Sequence, residues 1–240
     1  MNTTMRALFL CLLMTICYTS SHGQVLISIL FGEKLNSPNI EFGLDGGLNL
    51  ASIEGLQPSS NHGTLNLGFY FDFKLKKNPS WMLHTGVIVK STMGAKDIPV
   101  YPTGSPDLDN AMVGGSVERR LGYFNVPILM KYKFANNLFI EAGPMVGLMN
   151  RSTQDVFKAD LNEKDDLTYK LNIKDRYHPL DAGMMAGIGY RLLGGNGMNL
   201  GVRYYFGFVD ITIDDATISQ YNRALYLAVG IPIGVGKKAE

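Results

Sequence analysis

Residues Thr64 to Leu75 alternate without a break. Leu65, Leu67, Phe69, Phe71, Phe73 and Leu75 fall on one parity, and Asn66, Gly68, Tyr70, Asp72 and Lys74 on the other. A period of two sends successive side chains to opposite faces of an extended chain. The segment therefore reads as a β-strand with one apolar and one polar face.

The pattern recurs in seven further segments. In the first, Ile40, Phe42, Leu44, Leu48 and Leu50 oppose Glu41, Gly43, Asp45, Gly47 and Asn49. In the third, Leu83, Val87, Val89 and Met93 oppose His84, Gly86, Lys90 and Thr92. The fourth sets Phe124, Val126, Ile128, Met130, Tyr132 and Phe134 against Tyr123, Asn125, Lys131 and Lys133. The fifth sets Leu138, Ile140, Val146 and Leu148 against Glu141, Gly143 and Gly147. In the sixth, Met184, Ile188, Tyr190 and Leu192 face away from Gly183, Gly187, Gly189 and Arg191. The seventh opposes Leu200, Val202, Tyr204, Phe206 and Phe208 to Asn199, Gly201, Arg203, Tyr205 and Gly207. The eighth opposes Leu225, Leu227, Val229, Ile231 and Ile233 to Tyr226, Gly230 and Gly234. Each is about ten residues or longer, enough to cross a bilayer at a barrel tilt.

Connections alternate in length. Lys76 to Ser80, Ala135 to Asn137 and Gly194 to Gly197 are short; Ser52 to Gly63, Gly94 to Val117, Ser152 to Leu180 and Thr212 to Tyr221 are long. Such asymmetry marks bacterial outer-membrane barrels, with short periplasmic turns and long outer loops. The expected fold is all-β: an eight-stranded antiparallel up-and-down transmembrane β-barrel with both termini periplasmic. Lipid offers no hydrogen-bond partners, so the sheet must close on itself.

Alternation alone leaves a soluble lipocalin-like barrel open. Glycines clustered on the polar face argue against it, because a crowded lumen needs room and a water-facing strand does not. Aromatics on the apolar face point the same way. Phe73, Trp81, Phe134 and Tyr190 are expected at the periplasmic rim, and Phe124, Phe206 and Phe208 at the outer rim, as two girdles.

The N-terminus carries Arg6, an apolar run from Ala7 to Tyr18, and small Ser21 and Gly23 before Gln24. This reads as a signal peptide over 1–23, too short to span a membrane as a helix. A pre-barrel periplasmic segment is expected over 24–39, the barrel over 40–236 and a tail over 237–240. Both cysteines, Cys11 and Cys17, lie in the leader, so the mature chain has no thiol chemistry. The net charge of +1 implies no nucleic-acid partner.

An eight-stranded barrel is filled by its own side chains. Its inward charges include Glu41, Asp45, Lys74, Lys90 and Lys133 besides the expected network of Lys131, Glu141, Asp72, His84, Arg191 and Arg203. Folding the fourth strand onto the fifth about Asn136 places Lys131 opposite Glu141. Folding the second onto the third places Asp72 opposite His84. The network reads as structural, against the alternative of a proton relay or solute path.

No catalytic, cofactor-binding or metal site is assigned. His62 and His178 lie near outer loops, where a Ser/His/acid rim enzyme is conceivable but no spacing supports one. Asp107, Asp109 and Glu118 match positions 1, 3 and 12 of a calcium loop, yet Ala111 and Met112 stand where a ligand and a glycine belong. Pro99, Pro102 and Pro106 make the 94–117 loop unlike a helix. Leu167, Tyr169, Leu171 and Ile173 alternate with polar residues, as in a strand extending past the membrane.

The stretch from Gly122 to Lys133, GYFNVPILMKYK, resembles the Y-x-x-[IV]-P-[IL]-L-x-K-Y strand of PorT-family outer-membrane barrels of the Bacteroidota. Asp181 to Tyr190 and Leu200 to Ile211 resemble that family's sixth and seventh strands, and the likeness runs from about Phe42 to Val235. The chain departs from many outer-membrane barrels in not ending on an aromatic residue. The resemblance implies an outer-membrane protein, in some members linked to secretion, with no catalytic residues to carry over. The expected role is non-enzymatic: structural, receptor or secretion-accessory. The alternatives are a narrow small-solute channel and a lipid-modifying enzyme at the outer rim. Expected partners are outer-membrane lipid, the barrel-assembly machinery, and a protein bound through the outer loops or residues 24–39.

Overall fold

The computed structural model describes residues 37–160, 163, 167–214 and 218–233. The expected leader, residues 24–36 and the C-terminal tail lie outside these residues. The described residues form ten strands: β1 (Ile40–Glu54), β2 (Ser60–Leu75), β3 (Asn78–Pro99), β4 (Ser116–Lys133), β5 (Leu138–Met149), β6 (Gln154–Ala159), β7 (Leu167–Asn172), β8 (Leu180–Arg191), β9 (Asn199–Gly207) and β10 (Tyr221–Pro232).

Eight of them close into an antiparallel barrel in the order β1, β2, β3, β4, β5, β8, β9, β10 and back to β1. The closing ladder runs from Gly43↔Pro232 to Glu54↔Tyr221. The faces are inverted relative to a soluble protein. Leu65 is 60% exposed and Ile188 56%, whereas Asp72 is 1% and Glu141 3% exposed. Such a surface is stable only where the surroundings are apolar.

Three differences between sequence and structure bear on the sites. The first is β3. Ile88 pairs with Asn125, but Ser91 pairs with Tyr123, so the strand carries one extra residue. This β-bulge reverses the parity beyond it. Lys90, expected in the lumen, is exposed on the outside, and Met93, expected outside, is fully buried.

The second difference lies at the long-loop end. The strands run past the apolar band, so the β1–β2 connection shrinks to residues 55–59. The hairpin β6–β7 joins the same wall, with β6 pairing from Ser116↔Lys158 to Arg120↔Gln154 on β4. The expected strand near Leu167 is β7.

Third, the proline-bearing loop contains a short helix, α1 (Pro106–Ala111). Pro106 occupies the first turn, where its missing N–H costs no bond, and Asp107 and Asp109 face the positive helix end.

Candidate functional sites in the lumen and the loop cap

The short-turn half of the lumen holds two neighbouring sets of ion pairs. Arg191 donates two hydrogen bonds to Glu41, at 3.0 and 2.7 Å, and the Tyr70 hydroxyl donates to the same carboxylate at 3.0 Å. Arg203 donates to both Glu141 and Asp45 at 2.5 Å. It also approaches His84 Nε2 at 3.1 Å. Asp72 then takes His84 Nδ1 at 2.6 Å and Lys131 Nζ at 2.9 Å. Lys131 further lies over the Phe139 ring, 4.3 Å from its centre. Buried charges are retained when they are paired in this way.

Five of the six expected network residues therefore meet in one layer around Arg203, with different partners from those of the hairpins, while Arg191 pairs with Glu41 nearer the short turns. Lys131 is opposite Glu141 in the ladder, and Asp72 is opposite His84. Glu141 nevertheless pairs with Arg203, and Lys131 with Asp72. Sequence reading missed Tyr70 and Asn199, which extend the layer: Asn199 Nδ2 donates to Tyr70 at 3.3 Å. The cavity between these groups measures about 10 Å³, room for a single water.

The other half of the lumen mixes apolar side chains with a few buried polar ones. Leu129, Met145, Met185 and Met93 point inward with Tyr205 and Tyr226 and belong to one buried cluster. Inward apolar residues interrupt the alternation, which is why the pattern passed over them. Polar atoms there bond across strands: Asn222 Nδ2 to Asp181 at 2.9 Å and Asn125 Nδ2 to Ser91 at 2.9 Å.

The cluster continues into a cap at the long-loop end through Ile53, Ile98, Met112, Val117, Phe157, Tyr177 and Ile211. One polar latch ties it together. Arg119 donates to both oxygens of the buried Asp155, at 2.9 and 2.6 Å, and Tyr101 donates to Asp155 at 2.6 Å. Burial and this bond push the Tyr101 hydroxyl up to about 12. Beside it, Glu118 bonds Arg120, lies 3.3 Å from Lys158 and 3.6 Å from His62 Nδ1.

The chemical candidates are dispersed. His62 faces Glu118, His84 is in the ion-pair layer, and His178 is exposed. Asp107 and Asp109 are on α1, whereas Glu118 is on β4. Among the described residues, no group of three or more His, Cys, Asp or Glu is placed to hold a metal ion.

On the outer face, Trp81, Tyr132 and Phe134 pack at 4.9 Å between ring centres at the short-turn end. Phe73 and Tyr190 stand at the same end, opposite Leu83 and Leu138. Phe124, Phe206 and Phe208 are exposed at the other end, the last two 5.6 Å apart. Phe71 stacks beside Phe73, and Phe42 and Phe69 pack against it, so the rings on β1 and β2 continue beyond the rim.

A closed eight-stranded barrel, apolar outside and ion-paired within, defines an outer-membrane β-barrel protein. More particularly, the chain belongs to the family described as outer membrane protein beta-barrel domain, which matches residues 34–212. Solved structures of other outer-membrane proteins are similar to the chain at low identity. Neisserial surface protein A (NspA) has a TM-score of 0.43 and 9% identity over 79% of this chain and 96% of its own. Ail, the attachment invasion locus protein of Yersinia pestis, has 0.40 and 8% over 82% and 99%. OprG from Pseudomonas aeruginosa has 0.33 and 11% over 81% and 93%. No curated protein sequence matches the chain.

Proposed function

We propose that the protein is a non-enzymatic outer-membrane barrel with a filled lumen, oriented with short turns and both termini in the periplasm. Its working surface is then the cap, in a structural, receptor or PorT-like secretion-accessory role. The observation that carries this reading is the ion-paired layer around Arg203, which leaves a cavity of only about 10 Å³. A solute path would have to break several buried charge pairs at once. The PorT-like strand from Gly122 to Lys133 supports the secretion-accessory variant.

Planar-bilayer recording tests the filled lumen: the expected result is no conductance above background, and steady channels would overturn it. Orientation is tested separately. The mature chain carries no cysteine, so Asn110→Cys on α1 should react with an impermeant maleimide on whole cells, and Lys76→Cys should not. Loop deletion within residues 100–115 should abolish capture of a native partner while the barrel still folds in detergent. For the enzyme alternative, His62→Ala and His178→Ala should leave the mass of lipid A unchanged.

A further inference from the structure

The β3 bulge and the β6–β7 hairpin act on the same wall of the barrel. Odd-numbered residues of the extension, Val117, Phe157 and Tyr169, face the apolar cap. The even-numbered residues face the other way, and beside Glu118 and the buried Val156 they include three cations: Arg120 on β4, Lys158 on β6 and Lys170 on β7. Lys96 on β3 is exposed beside them. The bulge adds Lys90 below, turned out of the lumen to the lipid-facing side.

The acids on this wall are fewer. Glu118 is held by Arg120 and Lys158, and Asp97 lies 3.9 Å from Lys96. Asp160 follows at the end of β6, so among the described residues five cations stand against three carboxylates, an excess of positive charge. On the opposite wall Arg223 is taken up by Glu54 at 2.5 Å and the Gly207 carbonyl at 2.7 Å.

Height decides the partner. Lys90 precedes Ser91, which pairs with Tyr123 beside the exposed Phe124. It therefore stands at the upper edge of the apolar band, where a lysine extends its ammonium to the headgroups. Arg120 lies four residues beyond Phe124, roughly 13 Å along the strand. Lys170 is opposite Val156, itself opposite Glu118, a further turn of the pleat outward. A soluble protein cannot reach the apolar edge, but a lipid phosphate can.

We propose that this wall binds the phosphate groups of an outer-leaflet glycolipid, with Lys90, Lys96 and Lys170 as contacts and Arg120 and Lys158 as a fixed inner pair around Glu118. The inference rests on the orientation proposed above. The test uses the full mature chain in phosphatidylcholine nanodiscs containing either bisphosphorylated lipid A or its dephosphorylated form, read by native mass spectrometry. Retention of the phosphorylated form alone is expected, falling at least about tenfold in the Lys90→Gln/Lys96→Gln/Lys170→Gln variant. These three side chains are exposed, so an unchanged folded-band shift on gels will verify that the variant barrel forms. Lys76→Gln/Lys77→Gln at the short-turn end should change nothing. Equal retention of both lipids, an undiminished triple variant, or binding of a soluble polyanion such as heparin in place of lipid would overturn the proposal. Failure of the orientation appears separately, as an unlabelled Asn110→Cys in whole cells.

Discussion

Lys131 stands opposite Glu141 in the β4–β5 ladder, yet its ammonium bonds Asp72 at 2.9 Å, across β3 on β2. No ion pair joins Lys131 to Glu141 among the described residues, because Arg203 occupies that carboxylate. Double-mutant cycles should follow the bond and not the ladder. Lys131→Met should cost about 3 kcal/mol by stranding Asp72. The coupling of Lys131 to Asp72 should exceed its coupling to Glu141 by at least about 1 kcal/mol. Urea unfolding in detergent, followed by gel mobility, measures both, and a larger Lys131–Glu141 term would refute the assignment.

Arg203 joins three strands through Asp45, Glu141 and His84. Its planar fork serves two carboxylates at once, and a lysine cannot. Arg203→Lys should therefore be nearly as destabilising as Arg203→Met, on the order of 3 kcal/mol or more. Recovery of wild-type unfolding by the lysine variant would show that charge alone suffices.

Gly43 faces the Tyr70 ring and the Ile231 carbonyl so closely that an added Cβ would overlap both. Gly43→Val should push Tyr70 off Glu41 and lower the temperature at which the folded band is lost. Tyr70→Ala in the same chain should restore part of it. A Gly43→Val barrel as stable as wild type would show that the lumen is looser than these contacts indicate.

The cap should weaken in acid. Burial pulls the His62 pKa below its ordinary 6.5; Glu118 opposes this, and Arg120, Lys96 and Lys158 reinforce it. The unfolded segment therefore takes up the proton first. The stabilisation is complete above pH 6.5 and is lost as the pH falls from there toward the folded-state pKa. Burial pushes the Glu118 carboxyl up, but Arg120, His62 and Lys158 outweigh it and hold the group below its ordinary 4.5. Its contribution is present above 4.5 and lost as the pH falls through the folded-state value. Hydrogen exchange at residues 60–63 and 116–120, corrected for intrinsic rates, should accelerate from pH 7.5 to 5.5, and His62→Gln should flatten the response. An equal acceleration in the variant would assign the effect elsewhere.

Asp155 is fully buried and bonds Arg119 and Tyr101. Asp155→Ala should loosen the 100–115 loop and speed its cleavage by protease while the barrel midpoint stays near wild type. A matching loss in both would mean that cap and barrel unfold as one unit.

Alternation and turn length made the barrel legible. A one-residue slip would turn every apolar side chain inward, so face and hairpin register are strongly specified by residues near in sequence. Lys131 opposite Glu141 and Asp72 opposite His84 follow from that local rule. The β3 bulge left no such trace: Val89 and Lys90 read as an ordinary apolar–polar pair, and only their neighbours on β2 and β4 show the extra residue. The helix at Pro106 was hidden because proline is excluded from helix interiors but suits a first turn.

The sequence by itself determined that this chain makes an apolar-out, polar-in sheet of eight membrane-crossing strands, because a period of two and the connection lengths are local properties. Only the tertiary structure decided which charges meet. Glu41 and Arg191 are 150 residues apart, and Asp45 and Arg203 are 158 apart. They face each other across the lumen only once β1 closes on β10, and that closure is a constraint on the whole sheet which no single segment encodes.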